Sequence, residues 1–239
     1  MNMAKYVYGI NPTLHSIDAQ NAVKIYISET FSNKEVLKVI KDSKVPYSIV
    51  RKEKILSLFK GVKNTQGIAC EVKGFKTYEL SSILKDTKSL QKSIILMLDS
   101  IEDPHNLGAI LRIADAFSVD AVIYKKTGQV GLNEIVAKVS TGAINYVKCC
   151  EVSNLNNAIK MLKDNGYWIY AADGSGDIDY YGHDYASKSC LIIGSEGFGI
   201  SDLTLKNSDF IIKIPMSGHV NSLNASNATA IIISEMYRK

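Results

Sequence analysis

Between Ile94 and Pro215 the sequence alternates apolar runs with stretches that carry apolar residues at helical spacing, and this rhythm leaves few folds open. The runs are "IILML" (94–98), "DAVIY" (120–124), "YVKCC" (146–150), "YWIYAAD" (167–173), "CLIIG" (190–194) and "FIIKIP" (210–215). Helical patterns occupy 107–117, 133–140, 155–165 and a final stretch from about Asn224 to Tyr237. Most runs are apolar at consecutive rather than alternate positions, as strands buried on both faces are. Strand–helix alternation of this kind predicts an α/β fold, a mostly parallel sheet with helices on both faces.

A smaller α/β rhythm precedes it. "AVKIYIS" (22–28), "PYSIV" (46–50) and "QGIACEVK" (66–73) read as strands, with helices over 33–43 and 52–62. The domains are therefore expected at 1–75 and 93–239. Residues 76–92, polar and rich in Ser and Lys, read as a linker with one helical turn. The chain has 239 residues, 46% hydrophobic and 22% charged, as an ordinary globular protein does. No run approaches a membrane span, and the first residues lack a signal-peptide core, so a cytoplasmic protein is expected. Cys70, Cys149, Cys150 and Cys190 form no CxxC pair and read as buried thiols. The four histidines show no metal-ligand spacing, and no metal is expected.

Charge is unevenly placed. Residues 1–90 hold 15 Lys/Arg against 8 Asp/Glu, and residues 91–239 hold 13 against 16. A basic first third fits an anionic partner such as nucleic acid, and equally a solvated lysine surface.

In open α/β sheets, ligands sit beyond the carboxyl ends of the strands. Three polar clusters fall there: "DSIEDPHNLGAILR" (99–112), "GSEGFGIS" (194–201) and "IPMSGHVNSLNAS" (214–226). The glycines of "GSEGFG" lack the dinucleotide spacing and do not follow the first strand, which disfavours a Rossmann site. Asn106 is either a helix cap or a site residue. Arg112 either pairs with Asp115 or binds a phosphate through its planar fork. Glu196 is a solvated loop carboxylate or a site residue. Asp173 and Asp177 flank "GSG" and read as turn residues. The chain carries no charged residue from Val220 to Ser234. Leu223, Ala228, Ile231, Ile232 and Met236 sit at helical spacing, which predicts a last helix packed on the sheet. One cap needs one side chain, yet five Asn and Ser residues stand between Asn221 and Asn227.

Taken in order, "NLGAILR", "GSEGFGIS" and "IPMSGHVNSLNASNA" resemble the three motifs of the SpoU (TrmH) branch of the SPOUT RNA methyltransferases. "YVYGINPTLHSI" and "KNTQGIACEV" are similar to the N-terminal RNA-binding domain of bacterial 23S ribosomal RNA guanosine 2′-O-methyltransferases. Thr65 stands where that pattern commonly has His. The resemblance implies a knotted (trefoil) parallel-sheet domain behind a small α/β RNA-binding domain, a homodimer, S-adenosylmethionine as cofactor and RNA, ribosomal above all, as partner. It implies Asn106, Arg112, Glu196, Ser222 and Asn224 as catalytic residues. It implies Gly194, Ile214 and Leu223 as cofactor-binding residues, with Met216 and Ala172 on the pocket wall.

The implied reaction is attack of a ribose 2′-oxygen on the cofactor's methyl group. Arg112 is a poor base, since a guanidinium stays protonated, and fits better as a holder of the neighbouring phosphate and of charge on the attacking oxygen. Ser222 and Asn224 would fix the ribose and Arg112, and Glu196 would position Arg112 or the loop. The alternatives are a transfer-RNA ribose methyltransferase, a non-catalytic ribosomal-RNA-binding assembly factor and a nucleotide-dependent dehydrogenase.

Overall fold

The computed structural model describes residues 5–59, 62–220 and 222–238. The chain divides into two compact units, Met1–Lys76 with Leu132–Tyr146, and Thr77–Gly131 with Val147–Lys239.

The first unit starts with β1 (Lys5–Tyr8), α1 (Ile10–Asp18), β2 (Ala22–Ser28) and α2 (Lys34–Asp42). β3 (Tyr47–Val50), α3 (Lys52–Leu56) and β4 (Ile68–Val72) follow. The sheet order is β1-β4-β2-β3, with only β2 and β3 parallel. α2 begins where Asn33 accepts the Val36 N–H, the usual task of an N-cap. α1 has no side-chain cap on its own N-cap residue, Gly9. Gln66 supplies one from afar, its Oε1 accepting the Ile10 N–H at 2.9 Å. The two stretches that resemble an RNA-binding domain are thus tied to each other. Helix α3 is shorter than the expected 52–62, and Phe59 beyond it packs with Tyr8, Ile55 and Ala69.

The second unit opens with α4 (Leu80–Thr87), a two-turn helix where a linker was expected. Leu80, Ile83 and Leu84 stand at helical spacing and pack into the same core as Ile95, Ile123 and Ile192. Burial of that apolar face outweighs the polar composition. Then come β5 (Ser93–Asp99), α5 (Pro104–Ala116) and β6 (Ala121–Lys125). After β6 the chain leaves for the first unit. There α6 (Glu134–Val139) packs on β1 and α1, with the Lys138 ammonium 4.3 Å from the centre of the Tyr8 ring. Gly142 has φ +102, and a Cβ there would lie 2.2 Å from the His15 ring, so no other residue fits without repacking.

The chain returns as β7 (Cys149–Val152), shifted toward the C-terminus from the expected 146–150. It continues through α7 (Leu155–Asp164), β8 (Trp168–Ala172), β9 (Ile178–Asp179), β10 (Lys188–Gly194), α8 (Asp202–Asn207), β11 (Phe210–Lys213) and α9 (Ala225–Arg238). Seven parallel strands form one sheet in the order β7-β6-β5-β10-β8-β11-β9. β5 and β10 are central, and their residues are almost fully buried. All four cysteines are free and buried. No helix among the described residues is long and apolar enough to cross a membrane.

Register decides where the polar clusters meet. Gly194 pairs with Asp99, Ile193 with Ala172, and Ala172 with Ile212. The segments after β5, β8, β10 and β11 therefore leave the sheet side by side at one edge, where parallel sheets present their ligand sites.

Candidate active site

Asp103 caps α5, accepting the His105 N–H, and Pro104 takes the first helical position. Asn106 therefore lies within the first turn rather than at the cap. It is only 8% exposed, and its amide is free for other work. Its Nδ2 donates to Glu196 Oε1 at 3.0 Å, and its Oδ1 accepts from Asn224 Nδ2 at 2.8 Å. Asn224 Nδ2 also donates to Glu196 Oε1. One residue from each polar cluster thus meets in a closed triangle.

Asn224 has a second task. Its Oδ1 accepts the backbone N–H groups of Ser226 at 2.9 Å and Asn227 at 3.3 Å, and the Ser226 hydroxyl at 2.6 Å. The oxygen caps α9 and the nitrogen reaches into the site, so capping and site-building are not alternatives here. Asn221 lies outside the described residues.

The loop carrying Glu196 is tightly folded. Ser195 and Gly199 exchange backbone hydrogen bonds of 3.1 and 2.9 Å. A Cβ on Gly194 would lie 2.2 Å from the Gly199 backbone, so the close return of the chain requires glycine at 194. The loop's far end is fixed by Asp99, which is 1% exposed and accepts from the Ser201 N–H at 3.0 Å and hydroxyl at 2.8 Å. Lys125 pairs with the same carboxylate at 3.1 Å. Burial by itself would raise the Asp99 pKa, but the Ser201 and Lys125 hydrogen bonds outweigh it and hold the carboxyl below its usual range.

A cavity of about 180 Å³ opens beside this triangle. Every residue expected at the cofactor lines it: Ala172, Gly194, Ile214, Met216 and Leu223. Glu196 and Ser222 line it as well, so the second and third clusters share one pocket, and the first joins them through the Asn106 bond to Glu196. The sequence reading missed Asp173 there. The turn it predicted exists, with Asp173 Oδ1 accepting the Ser175 N–H at 2.9 Å, and that turn is also a wall of the cavity. The aspartate beside "GSG" at a strand's carboxyl end was the available signal.

Arg112 is placed differently. It stands six residues beyond Asn106 on α5, about 9 Å further along the axis and about 120° around it. It is exposed, does not line the cavity, and makes no hydrogen bond or ion pair among the described residues. Of its two alternatives, the pair with Asp115 does not form among the described residues. Glu196 contacts the two asparagines and leaves Arg112 unheld.

The lining suits an adenosyl sulfonium. Ile214, Leu223, Met216 and Ile232 offer apolar surface for a base and a ribose, and the Asp173 and Glu196 carboxylates are opposite in sign to a sulfonium. Comparison with known proteins agrees. Residues 93–234 match the SpoU rRNA Methylase family, and residues 6–78 match the RNA 2′-O ribose methyltransferase substrate-binding family. The chain belongs to the SpoU methylase family. It is an RNA methyltransferase that uses S-adenosylmethionine. A TrmH-family tRNA/rRNA methyltransferase relative from Staphylococcus saprophyticus is 42% identical over 220 residues, covering 90% of this chain and 88% of its own. The SpoU methyltransferase AviRb of Streptomyces viridochromogenes, solved with AdoMet, shares the fold with a TM-score of 0.81 at 19% identity, covering 98% of this chain and 89% of its own. A TrmH/SpoU tRNA-modifying enzyme of A. aeolicus covers 66% of this chain and 83% of its own, at 30% identity and a TM-score of 0.57.

Proposed function

We propose that this methyltransferase acts on a ribose 2′-hydroxyl of ribosomal RNA, most specifically a guanosine of the 23S molecule, as a cytoplasmic homodimer with a trefoil-knotted catalytic domain. The observation that carries the reading is the triangle of Asn106, Glu196 and Asn224 on the rim of the cavity lined by Gly194, Ile214 and Leu223. The basic first unit, with its match to a substrate-binding family, supports a large structured RNA.

S-adenosylmethionine, when bound, supplies an electrophilic methyl group. Ala172, Gly194, Ile214, Met216 and Leu223 would hold it, the apolar side chains against its base and the loop backbones around its edges. Asn106 and Asn224 both donate to Glu196 Oε1 and thereby fix the carboxylate's direction. Its Oε2 makes no hydrogen bond among the described residues and can accept one from a substrate hydroxyl. Ser222, exposed on the cavity wall, supplies a hydroxyl for the ribose. Arg112, unpaired and exposed, takes the phosphate beside the target ribose and stabilises charge on the attacking oxygen, while the phosphate or a water accepts the proton.

The test is a map of 2′-O-methyl sites in ribosomal and transfer RNA from cells with and without the protein, joined to methyl transfer by the purified protein. Loss of one site in 23S RNA is the expected result. Loss confined to transfer RNA would reassign the substrate, and absence of any methyl transfer would leave an assembly factor.

A further inference from the structure

Phe198 is 88% exposed, the most exposed large apolar side chain among the described residues. It makes no ring stack, and a phenyl group so placed leaves its apolar area in water. Its backbone, by contrast, is held. The Phe198 N–H donates to Ser195 Oγ at 3.2 Å, and Ser195 and Gly199 close the loop around it. Two residues earlier, Glu196 is bound by both asparagines. One residue later, Gly199 lines the cavity. A turn held by its own hydrogen bonds therefore presents a bare aromatic ring between Glu196 and Gly199, which line the catalytic pocket. The next loop adds Met216, which lines the same cavity and is 38% exposed.

The substrate is RNA. A ribose inside a stacked helix cannot bring its 2′-oxygen deep into a pocket unless its nucleotide is splayed out, and a splayed base needs a new stacking surface. An aromatic ring offers one to any base, since every base has a π-face. We propose that Phe198 is the stacking platform for a nucleobase of the RNA strand entering the active site. Phenylalanine has no hydrogen-bonding group, so the platform supports the strand without reading the base. The proposal rests on the RNA methyltransferase reading of the same site.

The test uses the full-length protein with S-adenosylmethionine and ribosomal RNA purified from cells lacking it. Phe198→Ala should raise KM for RNA about tenfold, the effect expected for loss of one base stack. Turnover at saturating RNA, cofactor affinity and sedimentation should match the parent, and Phe198→Trp should restore KM. An unchanged KM overturns the proposal, and so does an altered sedimentation coefficient, which would make Phe198 part of a subunit interface. Trp168 is the chain's one tryptophan. In a Trp168→Phe background, Phe198→Trp therefore gives a lone reporter, which a short single-stranded oligoribonucleotide should quench. That titration needs no turnover. An inactive parent protein would overturn the enzyme reading, whereas missing quench would overturn the platform.

Discussion

The described ion pairs of Lys and Arg fall in the catalytic unit, while the first unit carries a stripe of unpaired lysines. In the catalytic unit four cations are tied down: Lys125 pairs with Asp99, Lys148 with Asp86, Lys163 with Asp209 and Arg238 with Glu235. In the first unit, Lys34, Lys38 and Lys41 form a stripe along α2 about 60° wide, with Glu35 and Asp42 beside it rather than in it. Their side chains, like those of Lys44, Arg51, Lys52 and Lys54, make no hydrogen bond or ion pair among the described residues. Charge serves internal geometry at these four positions and stays available to a polyanion along the α2 stripe. Arg112 is of the second kind. It belongs to the catalytic unit but is exposed and unpaired like the lysines of the first, as a residue meant for substrate should be.

Arg112 gives the largest expected effect. Arg112→Ala should abolish methyl transfer while leaving cofactor affinity, read by calorimetry, within a few-fold. Arg112→Lys should fail too, because an ammonium lacks the planar fork. Full activity in the Lys variant would make Arg112 one more point charge and erase the distinction. Next, reversing Lys34, Lys38 and Lys41 to Glu should weaken RNA binding and lower the salt slope by about 2–3, at about 0.7–0.9 for each phosphate no longer neutralised. An unchanged slope would mean that the stripe is only a solvated face. Asn224→Ala should cost about 1–3 kcal/mol in denaturant unfolding, from the missing cap and the acceptors left unpaired. Asn224→Asp keeps the capping oxygen but sets a second carboxylate against Glu196, so it should retain most stability and lose activity. The smallest effect concerns Asp99. Its folded pKa lies below its unfolded value of about 3.9, so its contribution is full above that pH and fades as pH falls through the folded value. The Tm difference between the parent and Asp99→Asn should be greatest near neutral pH and shrink on acidification.

The parallel sheet was legible because its strands are continuous apolar runs, and the pocket because its polar clusters follow those runs. Helix α4 carried the spacing of Leu80, Ile83 and Leu84, but its Ser and Lys content masked it. β9, two residues long, has no periodicity to detect. The two faces of Asn224 were hidden for another reason: a side chain's partners depend on Asn106 and Glu196, brought close only by the pairing of β5 with β10. The membership of Leu132–Tyr146 in the first unit is non-local in the same way. Nothing in "NEIVAKVS" names Tyr8 or His15 as its neighbours.

That detour constrains the order in which the protein can mature on the ribosome. Chains emerge N-terminus first and domains generally fold as units. A nascent chain ending at 76 lacks α6, which covers β1, and lacks Asn145, which accepts from the Asn21 side chain at 3.3 Å. The first unit becomes whole only once residue 146 has left the tunnel, by which time β5 and β6 are already outside and still lack β10, the neighbour that completes the centre of their sheet. Neither unit can finish before the other has begun, so synthesis must carry two half-built folds at once.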